Sequence, residues 1–518
     1  MRLLTVFSSS AALLPFVAAS IPLLAPCATL DRAAIPCVAG AACIAVNGTV
    51  SQCLPASRSA MRDARADRRE LEALEKRTGE GGQVNLINGT PFKWKRTYVH
   101  GYQMNGWNDH WPTEVAPYSV ASVYVEFKTG FLVKTGDDGG EVSYNLDGTP
   151  ATFQLQAKGK GGFHIDAVLT DMSTVGNDRG KTIGLGWRHD GAVNFALAGT
   201  DAGRLVSNSP PQNWMQASLD AFKDVPLGKF VLPASHDSGM SKLDGKTIGA
   251  TPCNTLTQTK PIRDQLAAGA RYFDIRPVIS AGNFKTGHYS KIDAIKSWQG
   301  GNGQSIQEII DDLNGFTKDK AEVVILNFSH DLNTDVGNSD YRPLNQDEWN
   351  NLYRQLAGIN NLYTSPNADT DLTTLSLNTL IGGGKSAVIL VFQPDAHDIT
   401  LDGRQGKGFF WYGQVNAWNS YSDSDDLNSM ANDQIKKMHD QSGGYFLLSW
   451  TLTQKAAGAL LCPAEPSILD LAQKANDAIF TQVLGAASKD AYPKLLYIDK
   501  FEDSNMIPLA LAINYKVR

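Results

Sequence analysis

Beyond residue 19 the chain has no segment long and apolar enough to cross a bilayer, so a multi-span membrane protein is excluded. It also lacks an excess of charge: the net charge is only −6 over 518 residues. Such a mild balance gives no electrostatic footprint for nucleic acid and none for strong attraction to an anionic membrane. Cysteine is scarce, six in all, and no two stand in a Cys-x-x-Cys pair, which leaves zinc the weaker alternative to disulfides. Charge is modest at 19% while hydrophobic residues reach 42%, so disorder is excluded and sizeable cores are affordable. At this length two domains are expected.

What is present starts with an export-like segment. Arg2 precedes "LLTVFSSSAALLPFVAA", and the small residues Ala18, Ala19 and Ser20 suit signal peptidase. A membrane anchor is the alternative, disfavoured by Ser8, Ser9, Ser10 and Pro15. Residues 1–19 are therefore expected to be a signal peptide and the product secreted. Residues 20–77 read as a cysteine-rich and charged prosegment. Cys27, Cys37, Cys43 and Cys53 are expected to form two local disulfides of open pairing. A charge-rich run ends in Lys76-Arg77, which resembles the processing site of fungal-type secreted proproteins, so the mature chain is expected to begin near Thr78. An uncut linker is the alternative. Cys253 and Cys462 are expected to form one long-range disulfide.

Two grammars follow. Residues 78–202 alternate apolar and polar with Gly and Asp-Gly breaks, which predicts an all-β, sandwich-like domain. Its early stretch "INGTPFKWKRTYVHGYQMNGWNDHWP" is rich in aromatics; burial between strands is the commoner outcome, and contact with a lipid interface is the other. Asn88-Gly89-Thr90 matches a glycosylation acceptor, weakened by Pro91. Residues 203–225, with Pro210 and Pro211 among polar neighbours, read as a linker. From 226 to 518 strands alternate with helices; "SIQEIIDDLNGF" opens with the capping pattern Ser305-x-x-Glu308. The fold class is thus multidomain, an all-β sandwich-like domain followed by an α/β barrel of distorted TIM type.

In such a barrel the loops after the strands share one pocket. Strand ends deliver His236 and Asp237 from "FVLPASHDSGM", Asp274 and Arg276 from "YFDIRPV", and His288 from "TGHYS". Further ends deliver Asn327, Ser329, His330 and Asp331 from "VVILNFSHD", and Asp499 from "LLYIDKF". Two imidazoles can divide proton removal and donation near neutral pH. A permanent guanidinium can hold a phosphate and stabilise developing charge, while carboxylates orient the imidazoles. This set suits phosphodiester cleavage, with no metal ligand set and no cofactor expected. Trp411, Tyr412, Trp418 and Tyr421 in "FFWYGQVNAWNSYSD" are candidates for stacking on a headgroup or touching the bilayer, with a packed loop over the pocket mouth as the equal alternative. His330-Asp331 reads as an ordinary polar strand end, with help in binding substrate as the alternative.

"PASHDSGM", "PIRDQLAAGARYFDIRPV" and "TGHYS" resemble the X domain of phosphatidylinositol-specific phospholipase C and its secreted bacterial and fungal relatives. The resemblance runs from about Lys229 to Asn514 and is strongest in its first third. It implies a barrel that cleaves an inositol phospholipid or a glycosylphosphatidylinositol through a cyclic phosphate. Under it, His236 is the general base, His288 the general acid, and Arg276 the phosphate-binding arginine of the metal-independent type. Asp237 pairs with the acid, Asp274 stands beside the arginine, and Asp499 orients the base. Asn327, Trp418 and Tyr421 are expected to bind substrate. The sequence departs from the family in "GHYS" and in having no clear counterpart of the arginine that grips inositol. The expected partners are a phospholipid headgroup and, peripherally, a membrane, with no nucleic acid and a monomeric chain. A phosphodiesterase on another lipid diester, or a lipid- or glycan-binding protein without turnover, are the competing readings.

Overall fold

The computed structural model describes residues 26–29, 41–45, 50–55, 79–293, 296–455, 462 and 465–518. Met1–Thr78 and Gly79–Arg518 are two compact units. In the first, strands Pro26–Thr29, Ala41–Ala45 and Val50–Pro55 form an antiparallel sheet whose register sets Cys43 opposite Cys53. The signal segment 1–19, Cys37 and the charged run to Arg77 lie outside the described residues.

The second unit opens with two sheets packed face to face. A five-stranded sheet carries Glu80–Gly89 beside Ala192–Ala198 and Ser119–Phe127. A six-stranded antiparallel sheet includes Trp94–Tyr102, Gly139–Leu146, Thr152–Lys158 and His164–Val168. Strict alternation explains the layering: Val142, Tyr144 and Leu146, and Phe153, Leu155 and Ala157, turn inward while their neighbours face water. Phe153 meets Phe195 of the opposite sheet at 4.7 Å. The tryptophans of the early stretch, Trp94, Trp107 and Trp111, are core residues, whereas its Tyr98 and Tyr102 stay exposed. Asn88 is also buried, its amide donating to the carbonyls of Phe92, Val115 and Ala116, so the folded chain offers no glycosylation acceptor there.

Beyond the sandwich, seven parallel strands form one sheet. They are β1 (Leu232–Ser235), β2 (Tyr272–Ile275), β3 (Val323–Ser329), β4 (Ala387–Gln393), β5 (Phe409–Trp411), β6 (Leu447–Ser449) and β7 (Leu495–Ile498), in the order β5-β4-β3-β2-β1-β7-β6. Past β5, Trp418 bridges in parallel to Phe446, just ahead of β6. The strands read as continuous apolar runs because both faces are covered. Crossing segments include α1 (Ile262–Ala268), α2 (Ile306–Thr317), α3 (Gln346–Leu356), α4 (Leu427–Asp440), α5 (Ile468–Ala486) and α6 (Met506–Lys516). Helix α2 forms where Ser305 accepts the Glu308 N–H and Glu308 returns the bond to the Ser305 N–H, the reciprocal cap that its sequence predicts. Its buried stripe is Ile306, Ile309, Ile310, Leu313 and Phe316. Helix α6 is buried on nearly every side, so it carries no amphipathic period and leaves no sequence signature of a surface helix.

The sheet region and the sandwich share a seam. Helix α6 packs on Glu80–Gly89 and Ala192–Ala198, and Ile87, Ala196, Ala198 and Val206 belong to the same core as β1 to β7. At Gly89 a Cβ would stand 2.4 Å from the Ala512 Cβ, so only glycine admits the helix. The stretch 203–225 is built in as well: Asn208 caps the Ala196 N–H at 2.9 Å, and Trp214 is buried. Behind Trp214, Arg271 and Glu322 form a fully buried ion pair at 2.7 Å. Glu322 also accepts the N–H groups of Met215 and Gln216, while Arg271 donates to the carbonyls of Leu266, Ala270 and Gln212. Removing one partner strands the other charge. Glu322→Ala is expected to cost about 3–5 kcal/mol of unfolding free energy, read as a lower urea midpoint at unchanged slope. An unmoved midpoint would show that water reaches Arg271.

Candidate active site

A cavity of about 530 Å³ opens at the carboxyl ends of the parallel strands and is lined by His236, Asp274, Arg276, His288, Asn327, Tyr421 and Asp499, among others. Each side chain arrives for a local reason. His236 follows β1 directly, its N–H donating to the Ile498 carbonyl at 3.0 Å. Asp237 sits at φ +37, a left-handed turn that drops its side chain beneath the cavity floor. Asp274 and Arg276 stand two residues apart at the end of β2, so they face the same side. There β2 ends, and Pro277–Ser280 leaves the parallel sheet to pair antiparallel with Asn283–Ile292 across Ala281-Gly282, both at positive φ.

This corrects the expectation for His288. Its strand is not a parallel one ending at the pocket; it lies in a separate four-stranded sheet, ordered Ser297–Ser305, Asn283–Ile292, Pro277–Ser280 and Leu332–Asn333. His288 reaches the cavity from mid-strand, across from the other groups.

The hydrogen bonds assign the imidazoles. His236 Nδ1 donates to Asp499 Oδ1 at 2.7 Å, leaving the Nε2 lone pair to accept from Arg276 Nη2 at 2.8 Å. Burial pushes the His236 pKa down, but the Asp499 carboxylate more than restores it, leaving it above the ordinary imidazole value. Arg276 donates from Nε and Nη2 to Asp274 Oδ2 at 3.1 and 3.0 Å. The same oxygen accepts the Asp237 N–H at 3.1 Å and the Tyr497 hydroxyl at 2.6 Å. Burial opposes charge on Asp274, but Arg276, His236, His330 and the Tyr497 hydroxyl together outweigh it and hold the carboxyl far below the usual range. Asp274 is thus a permanent anion that fixes the guanidinium.

On the far side, His288 Nδ1 donates to the Thr255 carbonyl at 2.9 Å, so Nε2 is the nitrogen free to exchange a proton. Asp237 is wholly buried, its Oδ2 lies 3.7 Å from His288 Nδ1 and 3.5 Å from Arg276 Nη1, and neither carboxyl oxygen accepts a hydrogen bond. Burial raises its pKa to about 7, while burial and Arg276 lower that of His288 to about 4. The acidic proton of the pair therefore resides on Asp237 before substrate binds. Thr255 is held by the helix Pro252–Thr255, which Cys253 joins to Cys462 in the long-range disulfide expected from sequence, with Cα atoms 6.0 Å apart.

Of the expected substrate-binding residues, Asn327 and Tyr421 line the cavity, and Asn327 Oδ1 is buried without a hydrogen-bond partner. Trp418 does not line it; its ring stacks on Phe446 at 5.5 Å beside the bridge past β5. His330 does line it, its Nδ1 hydrogen-bonded to the Ser329 hydroxyl at 2.9 Å, so it is more than a polar strand end. Asp331 is structural, accepting the N–H groups of Leu344 and Asp395. Tyr412 of the aromatic loop lines it as well, and Tyr497 and Tyr272 are lining residues that no sequence motif marks as functional. Tyr497 had a signal: it stands two residues before Asp499 on β7 and must share its face.

No family model and no curated protein sequence matches the chain. Among solved structures it is similar to a pentafluoro-Phe-incorporated phosphatidylinositol-specific phospholipase C from Staphylococcus aureus, at 17% identity and TM-score 0.40 over 59% of this chain and 97% of that one. It is likewise similar to the phosphatidylinositol-specific phospholipase C from Listeria monocytogenes, at 18% identity and TM-score 0.40 over 58% of this chain and 98% of that one.

Proposed function

We propose that the chain is an exported, metal-independent phosphodiesterase of the phosphatidylinositol-specific phospholipase C type, its parallel strands closing into a distorted barrel. The observation that carries this reading is the opposed pair of imidazoles. His236 is fixed as a base by Asp499, His288 stands beside a proton-bearing Asp237, and Arg276 lies between them. The Cys253–Cys462 disulfide supports an oxidising destination. Removal of residues 1–19 and cleavage near Thr78 complete the proposed maturation.

The phosphodiester takes the place between the imidazoles, one oxygen on Arg276, which then releases the His236 Nε2 lone pair. That nitrogen removes the proton of a neighbouring hydroxyl, in inositol the 2-hydroxyl, as its oxygen attacks phosphorus. The bound anion offsets Arg276, so His288 binds a proton from solvent at Nε2 while its Nδ1–H stays on the Thr255 carbonyl and Asp237 ionises beside the imidazolium; Nε2 then passes that proton to the leaving diacylglycerol oxygen. A cyclic phosphate results, and water opens it with the roles reversed. Among the described lining residues Arg276 is the one guanidinium and no ammonium joins it, which favours a headgroup with a single phosphate. Asn254, Asn327 and Asn419 supply donors and acceptors suited to ring hydroxyls.

The test is turnover of phosphatidylinositol with EDTA present, followed by phosphorus NMR. A cyclic inositol phosphate supports the reading, and no phosphorus product from any lipid diester rejects it. The pH dependence is a further expectation. Activity rises as His236 loses its proton, then falls above about pH 7 as the Asp237–His288 pair loses the proton it must donate. Asp237→Asn is expected to lower kcat/KM about 100-fold and remove that alkaline limb. A limb left in place would assign the proton elsewhere.

A further inference from the structure

Among the described residues, Phe131 and Leu132 are adjacent apolar side chains left almost wholly in water, 102% and 90% exposed. They are the central pair of a turn that Val133 closes by donating its N–H to the Gly130 carbonyl at 3.2 Å. Turn centres are ordinarily taken by Gly, Asn, Asp or Pro, and no backbone demand calls for an aromatic followed by a branched apolar residue. The loop is firmly rooted. At its base Phe127 stacks on Phe163 at 4.6 Å and meets the edge of Trp187 at 5.1 Å. The Lys128 N–H donates to the Gln103 carbonyl, and the Asp138 carbonyl accepts the Gly159 N–H at 2.9 Å. The pair thus projects from a fixed base. Around it Lys128 and Lys134 of the loop and Lys160 of the adjoining turn are exposed, against one exposed acid, Asp137, since Asp138 is buried.

We propose that Phe131 and Leu132 form an insertion tip that enters a lipid surface, with Lys128, Lys134 and Lys160 as a basic collar at the level of anionic headgroups. Two convex side chains are far too small an area for a protein partner, whereas an interface of acyl chains and headgroups accepts a narrow apolar wedge with cations above it. In the early aromatic stretch the tryptophans are buried in the sandwich core, and only Tyr98 and Tyr102 among its larger rings are exposed. The site is independent of the reaction proposed above, because it concerns the bilayer and not the cavity.

The experiment is co-sedimentation of the full chain with vesicles of phosphatidylcholine containing a minority of phosphatidylglycerol. The double variant Phe131→Ser, Leu132→Ser is expected to partition about 100-fold more weakly, with turnover of a soluble short-chain substrate unchanged. Tyr98→Ser with Tyr102→Ser, at the half-exposed tyrosines of the sandwich surface, is expected to partition like the wild type. Three results would overturn the tip as anchor: no vesicle binding by the wild type, an unchanged double variant, or an equal loss from the tyrosine pair. A chain that binds vesicles through the tip yet cleaves no inositol diester would overturn only the proposed reaction.

Discussion

His236→Ala is expected to lower kcat on phosphatidylinositol about 10⁴-fold, the upper range for a positioned acid–base group, while the protein stays folded. The size follows from how much of the site serves this one ring. Asp499, itself buried, accepts from Nδ1 and so leaves Nε2 as the nitrogen able to accept a proton. The Tyr497 ring meets the imidazole edge-on at 5.1 Å and limits its rotation. A methyl group in its place removes the nitrogen that faces the attacking hydroxyl, and the nearby Asp274 Oδ2 is already taken by Arg276, Tyr497 and the Asp237 N–H. Asp499→Asn is the milder companion, as the ring remains but loses its orientation. Single-turnover rates beside circular dichroism separate chemistry from folding. A His236→Ala enzyme within about tenfold of wild type would remove the base from the mechanism.

Arg276→Lys is expected to cost about 10³-fold in kcat, with a smaller change in KM. Lysine keeps the charge but not the fork. Arg276 holds Asp274 with two nitrogens and touches His236 with one of them, while its third lies toward Asp237. An ammonium is a point donor and cannot span the base, the anchoring carboxylate and a phosphate oxygen at once. A second consequence is electrostatic: Arg276 lowers both Asp237 and His288, so displacing its charge should move the alkaline limb to higher pH. Wild-type turnover in the lysine variant would mean that phosphate is held by something other than a planar guanidinium.

Much of the site could be read from the chain because its residues obey the two-residue period of a strand. Asp274 with Arg276, and Asn327 with Ser329, each share one face, and the cavity lies where those faces meet. Tyr497 before Asp499, and Ser449 before Thr451, follow the same rule and show what a stricter use of it recovers. His288 obeys a different logic. Its strand belongs to an antiparallel hairpin that starts where Pro277 takes the chain out of the parallel sheet, and its Nδ1 partner is a backbone carbonyl, which no residue type announces. Trp418 and Tyr421 were equivalent on composition, yet a parallel bridge draws the first onto Phe446 and leaves the second at the cavity. Helix α6 escaped notice because a helix buried all round has no polar face to mark its period.

The closeness of Gly89 to Ala512 bears on how the chain can be cut and recombined as much as on its stability. Strands near the start and a helix at the very end fit each other to the width of a missing methyl group, and a continuous core runs across the join. A gene fragment encoding either half would expose the apolar face that the other covers. A half exchanged for another must bring the same bare backbone at the join, or the helix has nowhere to seat.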